Sequence, residues 1–337
     1  MWSLIDRALK GERNIYSAPF SPYLLITALF ILFYFIQLKF IYTDYLDIML
    51  YSDEIHAYFR PAYLFYKNSL YNIFDKVSYR GLFGHPPLFP FIINIGTQFL
   101  GFDIIALRNF ILFINSLSLL FLPLITYQYS RNILLSLSSF SILFAVSENF
   151  FYLIQLIPES FFVIFLIYFY FSLSRFKRGH LYLATILCML ARDYSVLLAP
   201  IMLSYYVYVK VFFSKDTNNP KWFDVLIVSF LACLWFIITK VVTGNFVPIF
   251  ANAQSSFVFE FDYWFFVFKE KIIFKFISNG WILYFLILNL GALIIRSKKI
   301  FLSYLIAMAF ITALSFYNIF IERYILASYY FIILGFI

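Results

Sequence analysis

Long apolar runs separated by short polar segments are the dominant pattern of this chain. The hydrocarbon core of a bilayer is about 30 Å thick, so at roughly 1.5 Å of rise per residue a crossing helix needs roughly 20 apolar residues. The pattern therefore predicts an all-α polytopic membrane protein with about ten transmembrane helices. The predicted crossings lie near residues 22–41, 107–127, 132–147, 160–174, 180–191, 194–213, 222–240, 278–295, 300–320 and 324–337.

Two further apolar segments are not counted as crossings. Segment 86–100 has fifteen residues and contains three prolines, which is typical of an interfacial or re-entrant helix. Segment 261–277 combines Tyr263 and Trp264 with three lysines, and this composition predicts an amphipathic helix at the level of the lipid headgroups.

The charges divide between the two ends of the predicted helices. Thirteen of the 25 basic residues lie in the N-terminus and in alternate short loops, together with only four of the 17 acids. The positive-inside rule makes these segments cytoplasmic. The chain is then one transmembrane domain over residues 1–337, with a cytoplasmic N-terminus (1–21) and two extracytoplasmic loops (42–106 and 241–277). The first of these loops carries the interfacial helices.

The remaining thirteen acids fall on the extracytoplasmic side. Acidic residues contribute little to topology, so this asymmetry indicates a separate use for carboxylates there.

Composition excludes several classes of function. Hydrophobic residues make up 64% of the chain and charged residues 12%. The net charge of +8 comes from the cytoplasmic loops, so it does not indicate a nucleic-acid partner.

Cys188 and Cys233 fall inside predicted crossings and are interpreted as packing residues. The sequence contains no phosphate-loop, dinucleotide-binding or zinc motif.

Asp53 and Glu54 follow the first predicted crossing in a tyrosine-rich stretch. A carboxylate near the low-dielectric boundary has its charged form disfavoured, which brings its proton affinity toward that of a general base. Asp53 is equally able to cap a short helix. Both interpretations stay open at this point.

His85 stands directly before Pro86 and Pro87. Proline restricts the backbone and is tolerated in the first turn of a helix, so the motif predicts a stiff turn that starts a helix. In the functional interpretation the same turn holds His85 beside the carboxylates, as a hydrogen-bond donor or proton carrier.

Arg192 and Asp193 interrupt two apolar stretches at the predicted outer end of a helical hairpin. A charge placed at the centre of a bilayer costs about 2.5–3.5 kcal/mol on insertion scales, so the two residues need mutual neutralisation or a ligand. A structural ion pair and a ligand site are both compatible with the sequence.

A similar group precedes the last predicted crossing, where Arg323 is followed by Tyr324. Arginine offers a planar set of donors that suits phosphate oxygens, either of a substrate or of a lipid headgroup. Glu159 follows a proline and is predicted to start a helix on the same outer side, where a carboxylate suits the positive helix end.

Taken in order, these motifs resemble the GT-C superfamily of membrane glycosyltransferases. The resemblance is to the branch of protein O-mannosyltransferases and of aminoarabinose transferases that modify lipid A. It covers most of the chain from about residue 20. It rests on Asp53 and Glu54, on His85 to Leu88, on the spacing from Gly101 to Arg108, on Pro158 and Glu159, on Arg192, and on Glu322 to Tyr324.

The resemblance implies a polyprenyl-phosphate sugar as donor and a glycan, lipid or protein hydroxyl as acceptor. By the same resemblance Asp53 is the general base, with Glu54 beside it in substrate binding. Arg192 and Arg323 would hold the donor phosphate. The other implied substrate-binding residues are His85, Glu159 and Tyr324.

The implied reaction is an inverting transfer at the extracytoplasmic face of a multi-pass protein, with the bacterial inner membrane as the expected location. It requires no cofactor and no metal site, although the paired carboxylates could bind a divalent cation.

The alternative is a transporter or flippase for a lipid-linked sugar. Such a protein is expected to place acids and arginines on facing helices near the midplane, whereas this chain is predicted to place nearly all of them at one end.

Overall fold

The computed structural model describes residues 22–45, 86–101, 103–144, 159–216, 218–243, 297–315 and 330–332, with isolated positions between 266 and 294. Within these ranges every regular element is a helix, which confirms the predicted all-α class. The helices are α1 (Pro22–Tyr45), α2 (Leu88–Leu100), α3 (Ile104–Ser130), α4 (Ile133–Phe144), α5 (Glu159–Ser174), α6 (Arg178–Ala191), α7 (Leu198–Phe212), α8 (Trp222–Thr243) and α9 (Lys298–Ser315), with a 3₁₀ turn at Asp193–Leu197 between α6 and α7.

The observed helices follow the predicted crossings closely. The largest extension is in α1, which continues four residues past the predicted end at residue 41 and so includes Asp44. Three described segments are long and apolar enough to cross a membrane: Ile105–Gln128, Asp193–Phe212 and Trp222–Val241. The amphipathic helix predicted at 261–277 and the crossings near 278–295 and 324–337 fall largely outside the described residues. The total of ten crossings stays a prediction.

Local side-chain chemistry sets both ends of α3. The Oδ1 atom of Asp103 accepts hydrogen bonds from the backbone N–H groups of Ile105 at 2.8 Å and Ala106 at 3.4 Å, so Asp103 is the N-cap. At the other end Arg131 adopts a left-handed conformation with a φ of 54°, which stops the helix. The carboxylate of Asp103, grouped by sequence with the extracytoplasmic acids, therefore caps a helix.

The helices α3 and α4 are joined by hydrogen bonds between small polar side chains. The Ser136 hydroxyl donates to the carbonyl of Pro123 at 2.5 Å, and the Thr126 hydroxyl donates to the Ser139 hydroxyl oxygen at 3.2 Å. Such bonds between membrane helices contribute on average about 0.6 kcal/mol each. They provide partners for the buried hydroxyls of Thr126, Ser136 and Ser139.

Helices α5 to α9 form the main core, with buried residues from every one of them in a single cluster. Its largest buried side chains include Phe169, Tyr205 and Phe310. At one end of this core, which we call the basic end, three connections meet: residues 174–178, 213–221 and 297–299. They are held together by hydrogen bonds from Asn218 to the carbonyl of Arg175 and from Lys298 to Asp216.

The opposite end is organised by α2. Phe89 and Ile93 of α2 are buried together with Ile111 of α3 and Phe161 of α5. Since Phe161 lies in the first turn of α5, and α5 ends at the basic end, this cluster lies at the far end of the bundle. Helix α6 also starts at the basic end and finishes at this far end, at Ala191. We call the far end the site end.

Candidate functional site

Arg192 lies at the site end, where the backbone leaves α6. Its φ of −154° and ψ of 140° are extended, so the helix stops at this residue. Its N–H donates to the carbonyl of Cys188 at 2.9 Å, and its own carbonyl accepts from the N–H of Ser195 at 3.1 Å. The guanidinium is therefore carried by a backbone segment with hydrogen bonds on both sides.

The 3₁₀ turn that follows is anchored to a neighbouring helix. The buried hydroxyl of Ser195 donates to the carbonyl of Ala232, in the middle of α8, at 3.1 Å. An unpaired polar group in an apolar core is costly, so this bond favours one position of the turn. The anchored 3₁₀ turn thereby fixes the position of Arg192 and of the two residues after it.

The side chain of Arg192 is only 2% exposed. Its Cζ atom lies 4.8 Å from the centre of the Tyr194 ring, and its Nη2 atom donates to the Tyr194 hydroxyl at 3.5 Å. Its Nε atom is 3.9 Å from Oδ1 of Asp193. The arrangement orients a buried guanidinium by a cation–π contact and a loose ion pair.

The Arg192–Asp193 contact bears on the two interpretations from the sequence. A charge-assisted hydrogen bond between nitrogen and oxygen is about 2.7–2.9 Å long, so 3.9 Å is an ion pair without a hydrogen bond. Asp193 thus lowers the cost of burying Arg192 without forming the bidentate contact that arginine makes with a well-placed carboxylate. The mutual neutralisation that the sequence suggested is present in this weak form.

A second buried guanidinium lies at the site end. Arg108, in the second turn of α3, is 4% exposed. The adjacent Leu107 is completely buried, as is Ile111 one turn further on, where it packs with α2 and α5. In the sequence Arg108 is a position of the Gly101 to Arg108 motif and is not among the predicted site residues. The signal that could have identified it is a single arginine near the start of a long apolar helix.

The helix α2 brings the proline motif into the bundle. Gly96 packs so closely on α3 that a Cβ atom there would lie 2.7 Å from Cδ1 of Phe110. Phe89 and Ile93 share a buried cluster with Ile111, so α2 packs against the first half of α3. Pro86, just before α2, is also buried.

The site residues predicted from the sequence differ in how far the structure describes them. Glu159 is the first residue of α5, as the sequence predicted, and α5 starts at the site end. Arg192 is described in full and is buried at the same end. The other residues lie outside the described ranges: Asp53, Glu54, His85, Arg323 and Tyr324. Within the described ranges, no group of three or more acidic, histidine or cysteine side chains could hold a metal ion.

Comparison with known proteins shows what this bundle is similar to. No protein-family model and no curated protein sequence matches the chain. Two solved structures do match: ArnT from Cupriavidus metallidurans bound to undecaprenyl phosphate, with a TM-score of 0.63, and the same protein in the apo state, with a TM-score of 0.60. The chain therefore shares the fold of ArnT.

The match extends over 93% of this chain at 13% sequence identity in both comparisons. The chain spans 59% of the length of the undecaprenyl phosphate-bound ArnT and 58% of the apo protein. The resemblance expected from scattered motifs thus agrees with a shared fold with ArnT.

Proposed function

We propose that this protein is a membrane glycosyltransferase that moves a sugar from a polyprenyl-phosphate donor to an acceptor hydroxyl. The observation that carries the proposal is the buried guanidinium of Arg192 at the site end of a GT-C fold. A solved structure of this fold contains undecaprenyl phosphate, a ligand of the same chemical class.

The proposed reaction is an inverting displacement. The acceptor oxygen forms a bond to the anomeric carbon while the bond from that carbon to the donor phosphate oxygen breaks. Asp53 takes the proton of the acceptor hydroxyl, and the polyprenyl phosphate leaves with the bonding electron pair. Glu54 lies next to this base and positions the acceptor or the sugar.

Arginine side chains contribute by stabilising the leaving group. The phosphate gains negative charge as the glycosidic bond breaks, so a cation already in place stabilises the transition state more than the bound donor. Burial strengthens this effect, because the Coulomb energy rises as the local dielectric constant falls. Arg192 supplies such a cation, and Arg323 is its proposed partner, with His85, Glu159 and Tyr324 completing the substrate contacts.

The proposed location of the site is the extracytoplasmic face. The support is that Arg192 and the basic end lie at opposite ends of the same helices. If the basic end follows the positive-inside rule, the site end faces away from the cytoplasm. We therefore propose the outer surface of a bacterial inner membrane as the location of the reaction.

Sugar transfer by the reconstituted full-length chain tests the proposal directly. Liposomes containing a radiolabelled undecaprenyl-phosphate sugar are incubated with extracts of candidate acceptors, and the products are identified by mass spectrometry. We expect cleavage of the sugar–phosphate bond only when protein and acceptor are both present. Movement of the intact donor across the bilayer without cleavage would instead identify a flippase.

A further inference from the structure

The basic end carries a concentrated positive charge. The three connections, with the second extended to residue 224, contain seven basic residues and two acids. Their net charge is therefore +5. The basic residues are Arg175, Lys177, Arg178, Lys215, Lys221, Lys298 and Lys299, and the acids are Asp216 and Asp224.

Both acids are engaged in contacts within the bundle. Asp224 accepts hydrogen bonds from Arg178, from the Tyr182 hydroxyl at 2.6 Å and from the backbone N–H of Lys221 at 2.7 Å. Asp216 accepts from Nζ of Lys298 at 2.5 Å, and this bond holds the pKa of Asp216 below its usual value. The carboxylates thus organise the connections, and the surface keeps an excess of cations.

A further lysine near this end lies against aromatic side chains. Nζ of Lys210, in the last turn of α7, lies 5.7 Å from the centre of the Tyr206 ring. The Tyr206 ring is in turn 5.9 Å from that of Trp222, the first residue of α8. Trp222 is 53% exposed and Phe223 66% exposed. Exposed aromatic rings at helix ends are typical of the membrane–water interface.

Exposed apolar stripes continue from this group along both helices. On α7 the stripe consists of Leu203, Val207 and Val211, which share one face because they are four residues apart. On α8 it consists of Leu226 and Phe230, with the same spacing. A molecule bound at Lys210 and Lys221 would therefore meet hydrocarbon-compatible surface next to the cations.

We propose that Lys210 and Lys221, together with Tyr206 and Trp222, bind the headgroup of an anionic phospholipid whose acyl chains lie along these stripes. The combination favours a lipid over a soluble acidic protein, because the cations are continuous with exposed apolar surface. Lysines near a membrane surface attract anionic headgroups, and aromatic rings anchor the neighbouring glycerol region. This site is at the opposite end from Arg192 and does not depend on the proposed transferase activity.

Native mass spectrometry of the full-length chain in a neutral detergent tests the proposal. Phosphatidylglycerol and phosphatidylcholine are titrated separately, and lipid adducts are counted for each variant. Lys210→Gln/Lys221→Gln is compared with Lys177→Gln/Lys215→Gln, which removes two charges from the same end away from the aromatic pair. We expect the first variant to bind phosphatidylglycerol about tenfold more weakly, and the control to change by less than about twofold.

Trp222→Ala distinguishes a specific lipid-binding site from non-specific electrostatic attraction of anionic lipid. We expect it to weaken phosphatidylglycerol binding at unchanged net charge. Equal losses in the two lysine variants, or equal binding of both lipids by the unmodified chain, would overturn the proposal. Lysine-dependent capture of an acidic soluble protein by lipid-free protein, with no preference for phosphatidylglycerol, would also overturn it.

Discussion

Arg178 on α6 and Asp224 on α8 form a bidentate ion pair, with Nε–Oδ1 and Nη2–Oδ2 distances of 2.6 Å and 3.3 Å. The Asp224 side chain is completely buried, whereas that of Arg178 is 50% exposed. The pair connects two helices whose partner residues are 46 positions apart in sequence. It sets how α6 and α8 meet at the basic end.

We expect Asp224→Ala to destabilise the protein by about 2 kcal/mol, because it leaves the half-buried hydroxyl of Tyr182 and the N–H of Lys221 without their acceptor. Thermal unfolding of the purified protein in detergent measures the loss. Asp216→Ala is the matched control, since that carboxylate is exposed and its surface ion pair contributes little. Equal destabilisation by the two variants would contradict the structural role given to Asp224.

Arg192→Ala should reduce sugar transfer by about 100-fold or more if the guanidinium stabilises the leaving phosphate. Arg192→Lys should recover part of this loss, because lysine keeps the charge but not the planar set of donors. Steady-state kinetics with a polyprenyl-phosphate sugar provides the measurement. Arg175→Ala at the basic end is the control, and a similar loss there would show that the effect is not local.

Asp53→Asn tests the assignment of the general base. We expect transfer to fall by about 100-fold to 10,000-fold while binding of the donor lipid is retained, because asparagine cannot accept the acceptor proton. Donor binding and turnover are measured on the same preparation. Asp103→Asn is a suitable control, since asparagine also caps helices and Asp103 is exposed at the start of α3. Full turnover by Asp53→Asn would refute the assignment.

The predicted sidedness can be checked by cysteine labelling in intact cells. A membrane-impermeant thiol reagent should react with Asp75→Cys, in the first predicted extracytoplasmic loop. It should not react with Lys177→Cys, which is exposed at the basic end. The unmodified chain, with Cys188 buried and Cys233 partly buried, gives the background. Reversed labelling would invert the topology and move the proposed site to the cytoplasmic face.

Several parts of the fold were predictable from the sequence because their causes are local. The start of α3 follows from the capping chemistry of Asp103, and its length follows from the number of apolar residues available to it. Likewise the start of α5 at Glu159 was predicted from a proline followed by a carboxylate. The resemblance predicted from motifs in order agrees with the fold shared with ArnT.

The candidate site was less predictable. The sequence indicated Arg192 as a charged interruption between apolar stretches, but its burial depends on the turn that Ser195 ties to α8. The burial of Arg108 depends on how α2 and α5 pack against the neighbouring Leu107 and Ile111. Neither packing relationship can be predicted from the residues adjacent to each arginine in the sequence.

The sequence by itself determined that this is a helical membrane protein with basic residues concentrated in alternate loops. The physical reason is that transfer of apolar segments into a bilayer depends on length and composition along one stretch of chain. Only the tertiary structure decided which distant groups meet, such as Arg178 with Asp224 and Lys210 with the Tyr206–Trp222 pair. Those contacts depend on which helix faces pack together, and many pairings of similar apolar helices are compatible with the same sequence pattern.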